Sequence, residues 1–196
     1  MRKAKQGRKT GETDIAVELD IDGNGERDIS TGVGFFDHML DLFAKHGLFD
    51  LKVRCEGDTW VDDHHTVEDV GIVLGRCFGQ ALGDKKGIRR YGQRLLPMDE
   101  VLCLCAVDLS GRPYLVFDEV FTRESIRGFG TENVREFLYS FCVNCGANLG
   151  IRFMAGANDH HRIEALFKAL GKAMREPCEM DQRAADAIPS TKGSLD

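Results

Sequence analysis

The chain has 196 residues and no apolar run long enough to span a bilayer. Its basic opening, Met1-Arg2-Lys3-Ala4-Lys5, is not followed by the apolar core of a signal peptide. A cytoplasmic location is therefore expected, with no membrane partner. The chain also lacks a positive balance. A formal net charge of −6 argues against a generic nucleic-acid binder. Cysteine is present, but as seven residues, an odd number that favours free thiols over a disulfide framework. Cys142-Val143-Asn144-Cys145 has no second CxxC to complete a zinc knuckle, and it falls inside an apolar helical stretch. Buried small side chains are the better reading.

Histidine is scarce. There are six, and four of them sit in two tandem pairs. The pairs read Asp63-His64-His65-Thr66-Val67-Glu68 and Asp159-His160-His161-Arg162-Ile163-Glu164. Leu74-Gly75-Arg76 and Leu170-Gly171-Lys172 follow them at the same offset, so the chain reads as an internal duplication. With each motif opening a helix, His64 and Glu68 share a face, as do His65 and Glu68. Adjacent histidines diverge by about 100° around the axis. One unit can thus feed two metal ions more easily than chelate one. Imidazole and carboxylate without thiolate favour a borderline to hard divalent ion such as Mn, Fe or Zn.

The rest of the chain reads as short elements. Residues 1–9 are basic, polar and expected to be loose. Ile15, Val17, Leu19 and Ile21 alternate as a half-buried strand. Asp20-Ile21-Asp22-Gly23-Asn24-Gly25 resembles half an EF-hand loop but lacks its closing glutamate, so a hairpin turn with Asn24-Gly25 at its tip is expected. Phe36, Met39, Leu40 and Phe43 have helical spacing, with Gly47 as the stop. Leu51, Val53 and Cys55 form a strand. Val67 through Ala81 make a helix ended by Gly83-Asp84. The basic stretch 83–92 reads as a junction, dividing the chain into half-repeats 1–92 and 93–196 within one compact domain. Val101 to Leu109 reads as a strand, and Tyr114 to Val120 as its partner across the turn Ser110-Gly111-Arg112-Pro113. Residues 121–130 read as a loop. A third helix runs through Val134, Phe137, Leu138, Phe141 and Cys145, then a strand from Leu149 to Met154, then a helix opened by the second histidine pair.

Each half is thus expected to run strand, helix, strand, helix. The fold class is α+β: a two-layer sandwich built by duplication, each half a mostly antiparallel sheet with helices on one face. The halves are expected to pack helix against helix. Ligands at helix starts lie near an edge, which favours sites completed by a neighbouring subunit.

The residues are similar to a known family. Thr10-Gly11-Glu12-Thr13, Phe35-Phe36-Asp37-His38-Met39-Leu40, the two histidine motifs, Gly87-Ile88-Arg89-Arg90-Tyr91-Gly92, Asp108-Leu109-Ser110-Gly111-Arg112-Pro113-Tyr114 and Pro189-Ser190-Thr191-Lys192-Gly193 together resemble the imidazoleglycerol-phosphate dehydratases of histidine biosynthesis. The match spans nearly the whole chain in order. The resemblance implies a dimanganese hydro-lyase, assembled as a twenty-four-subunit homo-oligomer with active sites between subunits. It implies loss of water from imidazole glycerol phosphate to give imidazole acetol phosphate. The proton removed is not beside a carbonyl, so nothing in the substrate's chain acidifies it. Two cations holding the ring nitrogens would favour the imidazolate, which can expel the adjacent hydroxyl through a diazafulvene-like intermediate.

The resemblance assigns His38, His64, His65, Glu68, His160, His161 and Glu164 as metal ligands. It assigns Glu12 as acid/base and gives His46 and Lys168 active-site positions. Arg90, Arg112, Ser190 and Lys192 match its phosphate-binding set, and guanidinium and ammonium groups suit a phosphate dianion. Taken one at a time, Glu12 also reads as a strand-end carboxylate, Lys168 as an ion pair with Glu164, and each phosphate residue as surface charge.

Two positions depart from the family's pattern. Arg135-Glu136-Phe137-Leu138 stands where the family has Glu-His-Phe-Phe, which puts Glu136 in a metal-ligand position. By the internal repeat its counterpart is His38. Gly150 stands where the family usually has a histidine. A carboxylate suits Mn as a harder ligand but adds negative charge to the site. The alternative to an active dehydratase is thus a metal-binding assembly with an altered site and weak or no activity. A metal-storage shell, as a third reading, leaves the phosphate residues unexplained.

Overall fold

The computed structural model describes residues 2–195. The first half contains β1 (Lys3–Lys9), β2 (Thr13–Asp20), β3 (Arg27–Ser30), α1 (Gly34–Gly47), β4 (Asp50–Gly57) and α2 (His64–Leu82). The second contains β5 (Tyr91–Met98), β6 (Val101–Asp108), β7 (Tyr114–Val116), the two-residue strands β8 (Ser125–Ile126) and β9 (Phe129–Gly130), α3 (Asn133–Cys145), β10 (Asn148–Ala155) and α4 (Asp159–Cys178). The two main sheets have orders β1-β2-β4-β3 and β5-β6-β10-β7. In each, the three long strands are antiparallel and the last short strand is parallel to its neighbour. The topology repeats as the motifs do.

Alternation builds each sheet with one buried face. Ile15, Val17 and Leu19 on β2 stand opposite Cys55, Val53 and Leu51 on β4, and all six are buried. The helices cover those faces. α2 lies on β1 and β2, and α4 on β5 and β6. The halves then meet helix to helix, α2 along α3 and α1 along α4, so that each half is two layers and the helical layers face each other. Phenylalanines fill the middle: Phe78 meets Phe49, Phe43 and Phe141 edge-on at centroid distances of 5.0, 5.9 and 5.5 Å.

Several local expectations change. The segment 1–9 contains the edge strand β1; only Ala4 of this strand is buried, so apolar alternation gave no signal. The turn after β2 is not a hairpin. Asp50 Oδ1 accepts the backbone N–H groups of Asn24, Gly25 and Glu26 at 2.8, 3.1 and 3.0 Å, and this redirects the chain into β3 parallel to β4. The basic junction ends earlier than expected, because Tyr91 already pairs with Asp108 in β5. Strand β7 is three residues long and pairs in parallel with β10; it cannot partner β6, whose two edges are taken by β5 and β10. The segment 121–130 carries the small hairpin β8–β9. Each half therefore runs three strands, helix, strand, helix, with that hairpin added in the second.

Gly47 closes α1, but the left-handed residue is Leu48, at φ 57°. At Gly47 a side chain would collide with the Phe49 ring and crowd the Gly171 carbonyl of α4 at 3.0 Å. Gly171 in turn lies against the Phe43 carbonyl of α1, and Gly75 of α2 lies in the same way against the Phe141 carbonyl of α3. Glycine at these crossings lets the axes approach.

This contact makes a contrast within one helix. Gly75→Ala should lower unfolding free energy by about 1–3 kcal/mol through overpacking against backbone, outweighing about 1 kcal/mol gained in helix propensity. Gly79→Ala, where a Cβ would meet only the Asn144 carbonyl oxygen at 3.5 Å, should be neutral or stabilising. Urea unfolding of the two variants checks this.

Candidate functional site

The crossing at Gly171 places the side chains one turn and more toward the helix starts. His38 on α1 faces Glu164 on α4, with Nε2 2.8 Å from Oε1. The same carboxylate oxygen lies 3.4 Å from His160 Nε2, and Lys168 Nζ donates to Oε2 at 3.0 Å. Burial works against ionising Glu164, but the hydrogen bonds from His38 and Lys168 outweigh it and hold its pKa below the usual glutamate value. His46 is half-buried at the end of α1. Burial, then the charges of Lys172, Lys168 and Lys45, push its pKa down and favour the neutral ring. One helix seam thus collects His38, His46, His160, Glu164 and Lys168.

The α2–α3 seam repeats this arrangement. Glu68 lies seven residues before Gly75 as Glu164 lies seven before Gly171, and Glu136 lies five before Phe141 as His38 lies five before Phe43. Glu136 therefore occupies the position of His38. A carboxylate there cannot donate to Glu68, and its near charged partner is its own neighbour, Arg135, at 3.8 Å. Glu68 is left with His64, whose Nε2 is 3.8 Å away. Gly150 lies in β10, and a side chain there would meet nothing within 4 Å. The position is sterically open.

The two histidine pairs have nearly the same geometry. Ring centroids are 6.0 Å apart in each, with planes at 90° for His64 and His65 and 88° for His160 and His161. The first ring of each pair turns back to its helix glutamate. The second turns outward: His65 Nε2 lies 3.7 Å from Glu12, and His161 Nε2 lies 3.9 Å from Asp99. Its Nδ1 is held by a carboxylate, Asp58 at 3.1 Å for His65 and Glu100 at 2.9 Å for His161. These hydrogen bonds raise both histidine pKa values. A carboxylate on Nδ1–H leaves the Nε2 lone pair free in the neutral ring and fixes the ring's direction, as metal-ligating histidines require. The sequence reading did not find Asp58, Asp99 and Glu100. Asp99 and Glu100 lie in the β5–β6 turn, which corresponds to the turn carrying Glu12; that equivalence was the available signal.

The donor set fits a divalent cation: imidazole nitrogens, carboxylates and orienting carboxylates, with all seven cysteines buried elsewhere. The residues that could hold one are His38, His160, His161 and Glu164 on one seam, and His64, His65, Glu68 and Glu136 on the other. Among the described residues, no group of three or more His, Cys, Asp or Glu side chains forms a complete metal shell within the single chain. The Glu164 cluster is hydrogen-bonded and does not form a coordination sphere.

The phosphate candidates lie elsewhere. Arg90, at φ 70°, is buried. Its Nε and Nη2 donate to Asp108 at 2.7 and 3.1 Å, and its Nη1 to the Pro189 carbonyl at 2.8 Å. It therefore anchors the tail that carries Ser190 and Lys192. Ser190 Oγ accepts the Lys192 backbone N–H at 3.2 Å, and Arg112 is exposed in the β6–β7 turn. Arg90 N–H also bonds the carbonyl of Pro177 at the far end of α4. Pro177 is seventeen residues from His160 along that helix, a distance of about 25 Å at 1.5 Å per residue.

Comparison with known proteins gives the family. The family model described as imidazoleglycerol-phosphate dehydratase matches residues 31–174. The chain belongs to the imidazoleglycerol-phosphate dehydratase family. It is 57% identical to the imidazoleglycerol-phosphate dehydratase of Jannaschia sp. and 58% identical to that of Thermoanaerobacter pseudethanolicus, each over the full length of both chains. Among solved structures it is similar to the enzyme from Staphylococcus aureus, with a TM-score of 0.83 and 36% identity over 91% of this chain and 99% of that one. The enzyme from Pyrococcus furiosus in complex with (S)-C348 gives the same TM-score at 34% identity, covering 97% and 100%. Membership makes the chain a hydro-lyase of histidine biosynthesis. Among the described residues, no helix is long and apolar enough to cross a membrane.

The orienting carboxylates can be tested by titration. Glu100→Gln should lower the pKa of His161 in the metal-free protein, read by NMR of the ring protons. The ion pair's contribution to stability is present below the ordinary histidine pKa and fades as pH rises through the raised one. Metal binding needs the neutral ring, so loading should fail as pH falls through that raised pKa.

Proposed function

We propose that this chain is a metal-dependent dehydratase that removes water from imidazole glycerol phosphate to give imidazole acetol phosphate. The observation that carries the reading is the pair of outward-facing histidines, His65 and His161, each oriented through Nδ1 and each with a carboxylate near Nε2. A pair of divalent cations, Mn²⁺ by the family resemblance, would supply positive charge that favours the deprotonated imidazole of the substrate. The chain's own residues do the rest. Glu12 stands at the mouth of the His65 side, where a carboxylate can accept the carbon proton. Lys168 and His38 hold Glu164 ionised as a ligand. His46, kept neutral, is available as a proton acceptor beside Lys168.

The ligand for the phosphate must reach this site from elsewhere. A separation of about 25 Å along α4 between His160 and the end that Arg90 contacts exceeds the length of a small phosphorylated substrate, so the tail that Arg90 anchors, with Ser190 and Lys192, would serve the histidines of another chain. Each seam presents an incomplete shell, which points the same way. A homo-oligomer with active sites between subunits accounts for both, and the resemblance suggests a twenty-four-subunit shell. A cytoplasmic location fits a biosynthetic enzyme of this kind.

Glu136 favours a second reading, a metal-binding assembly with an altered site, because it holds on α3 the position that His38, the partner of Glu164, holds on α1. Two metals per chain with turnover support the enzyme; one metal and no turnover support the altered site. Glu136→His should tighten metal binding and leave activity equal or higher, measured by metal content after dialysis and by product formation with Mn²⁺. If the change lowers both, Glu136 does not act at the metal. Removing metal with a chelator should loosen or dissociate the oligomer, followed by light scattering.

A further inference from the structure

The aspartate that heads each histidine motif is not among the metal ligands, yet both are engaged, and both hold the same piece of chain. Asp63 Oδ2 accepts the backbone N–H of Gly130 at 3.0 Å. Asp159 Oδ2 accepts the backbone N–H of Thr122 at 2.8 Å, the Thr122 hydroxyl at 2.7 Å and the backbone N–H of Arg123 at 2.9 Å. The segment between these points is the β8–β9 hairpin. It is closed by Ser125 pairing with Gly130 and Ile126 with Phe129, and Thr131 returns three bonds to it, its hydroxyl to the Arg123 and Glu124 carbonyls at 2.6 and 3.2 Å and its N–H to the Glu124 carbonyl at 2.9 Å. The hairpin also has an apolar anchor. Phe129 is fully buried against Phe35 and Phe36, and the Phe35 ring lies edge-on to His160 at 5.3 Å.

We propose that the segment 122–131 is a strap that couples the two histidine pairs, with Asp63 and Asp159 as positioning residues acting through it. The strap belongs to the second half alone. The corresponding stretch of the first half, between β3 and α1, holds only residues 31–33, so the internal symmetry is broken where the two ligand sets need a fixed relation. Asp159 is 1% exposed and also accepts from Arg162, so its end is rigid. Asp63 is partly exposed and is tied to the strap through a single N–H, so its end is the one that can be released. A shift at Asp63 is transmitted through Gly130 and Phe129 to Phe35 and the His160 ring, and through Arg123 to Asp159.

The coupling predicts an effect at a distance, which a purely local helix cap would not produce. The test uses the full-length protein in a His64→Ala/His65→Ala background, so that only the second pair can bind Mn²⁺. Adding Asp63→Ala there should weaken Mn²⁺ binding at His160 and His161 by about tenfold, within the range for residues that orient ligands. It should also raise amide exchange in the first turn of α4 in the metal-free protein. Asp63→Asn, which keeps an acceptor for Gly130, should restore both readings. If Asp63→Ala leaves Mn²⁺ affinity and α4 exchange unchanged while the chain remains folded by circular dichroism, the strap does not couple the pairs. If Asp63→Ala proves too unstable to measure, Gly130→Pro, which removes the same donor, takes its place under the same two outcomes.

Discussion

The close approach of two helix pairs at Gly75 and Gly171 is the constraint from which the site follows. At each crossing a backbone carbonyl of the partner helix occupies the volume of the missing side chain. That contact fixes helix rotation and register together. A shift of one residue would turn Glu164 by about 100° away from His38, and the cluster of His38, His160, Glu164 and Lys168 would not form. Core packing therefore sets the geometry of the surface chemistry.

Duplication supplies two such crossings, and differences between them mark where the halves have specialised. His38 and Glu164 form a hydrogen-bonded pair, whereas Glu136 and Glu68 bring like charges to the same seam. Asp58 orients His65 from the loop before α2, while Glu100 orients His161 from the β5–β6 turn. The same requirement, a carboxylate on Nδ1, is met from two different elements. That is the mark of a shared chemical demand acting on halves that have diverged in sequence.

Legibility in the sequence followed the physics of each element. The buried stripes of the four helices and the alternation of β2 and β4 were readable because burial imposes periodicity. β1 was not, since an edge strand with Ala4 as its one buried residue has no such pattern. The parallel strand β7 reads from the sequence as a hairpin partner, and β3 does not read as a strand at all, for a related reason. Local turn chemistry shows that the chain reverses, but which strand edges are already occupied is a long-range fact. Among the functional residues, the histidine pairs announced themselves by repetition in a chain poor in histidine. Asp58 and Glu100 had no motif of their own.

The sequence by itself determined the duplication and which candidate donors share a helix face, since residue type and helical spacing fix that whatever surrounds them. Only the tertiary structure decided which seam each candidate donor joins, that Asp58 and Glu100 orient the second histidine of each pair, and that Arg90 is committed to Asp108 and Pro189. It also decided that Arg90 and the tail it anchors lie at the far end of α4 from the histidines. Those relations are set by how helices and sheets pack across the two halves, and neither spacing along the chain nor residue type carries that distance.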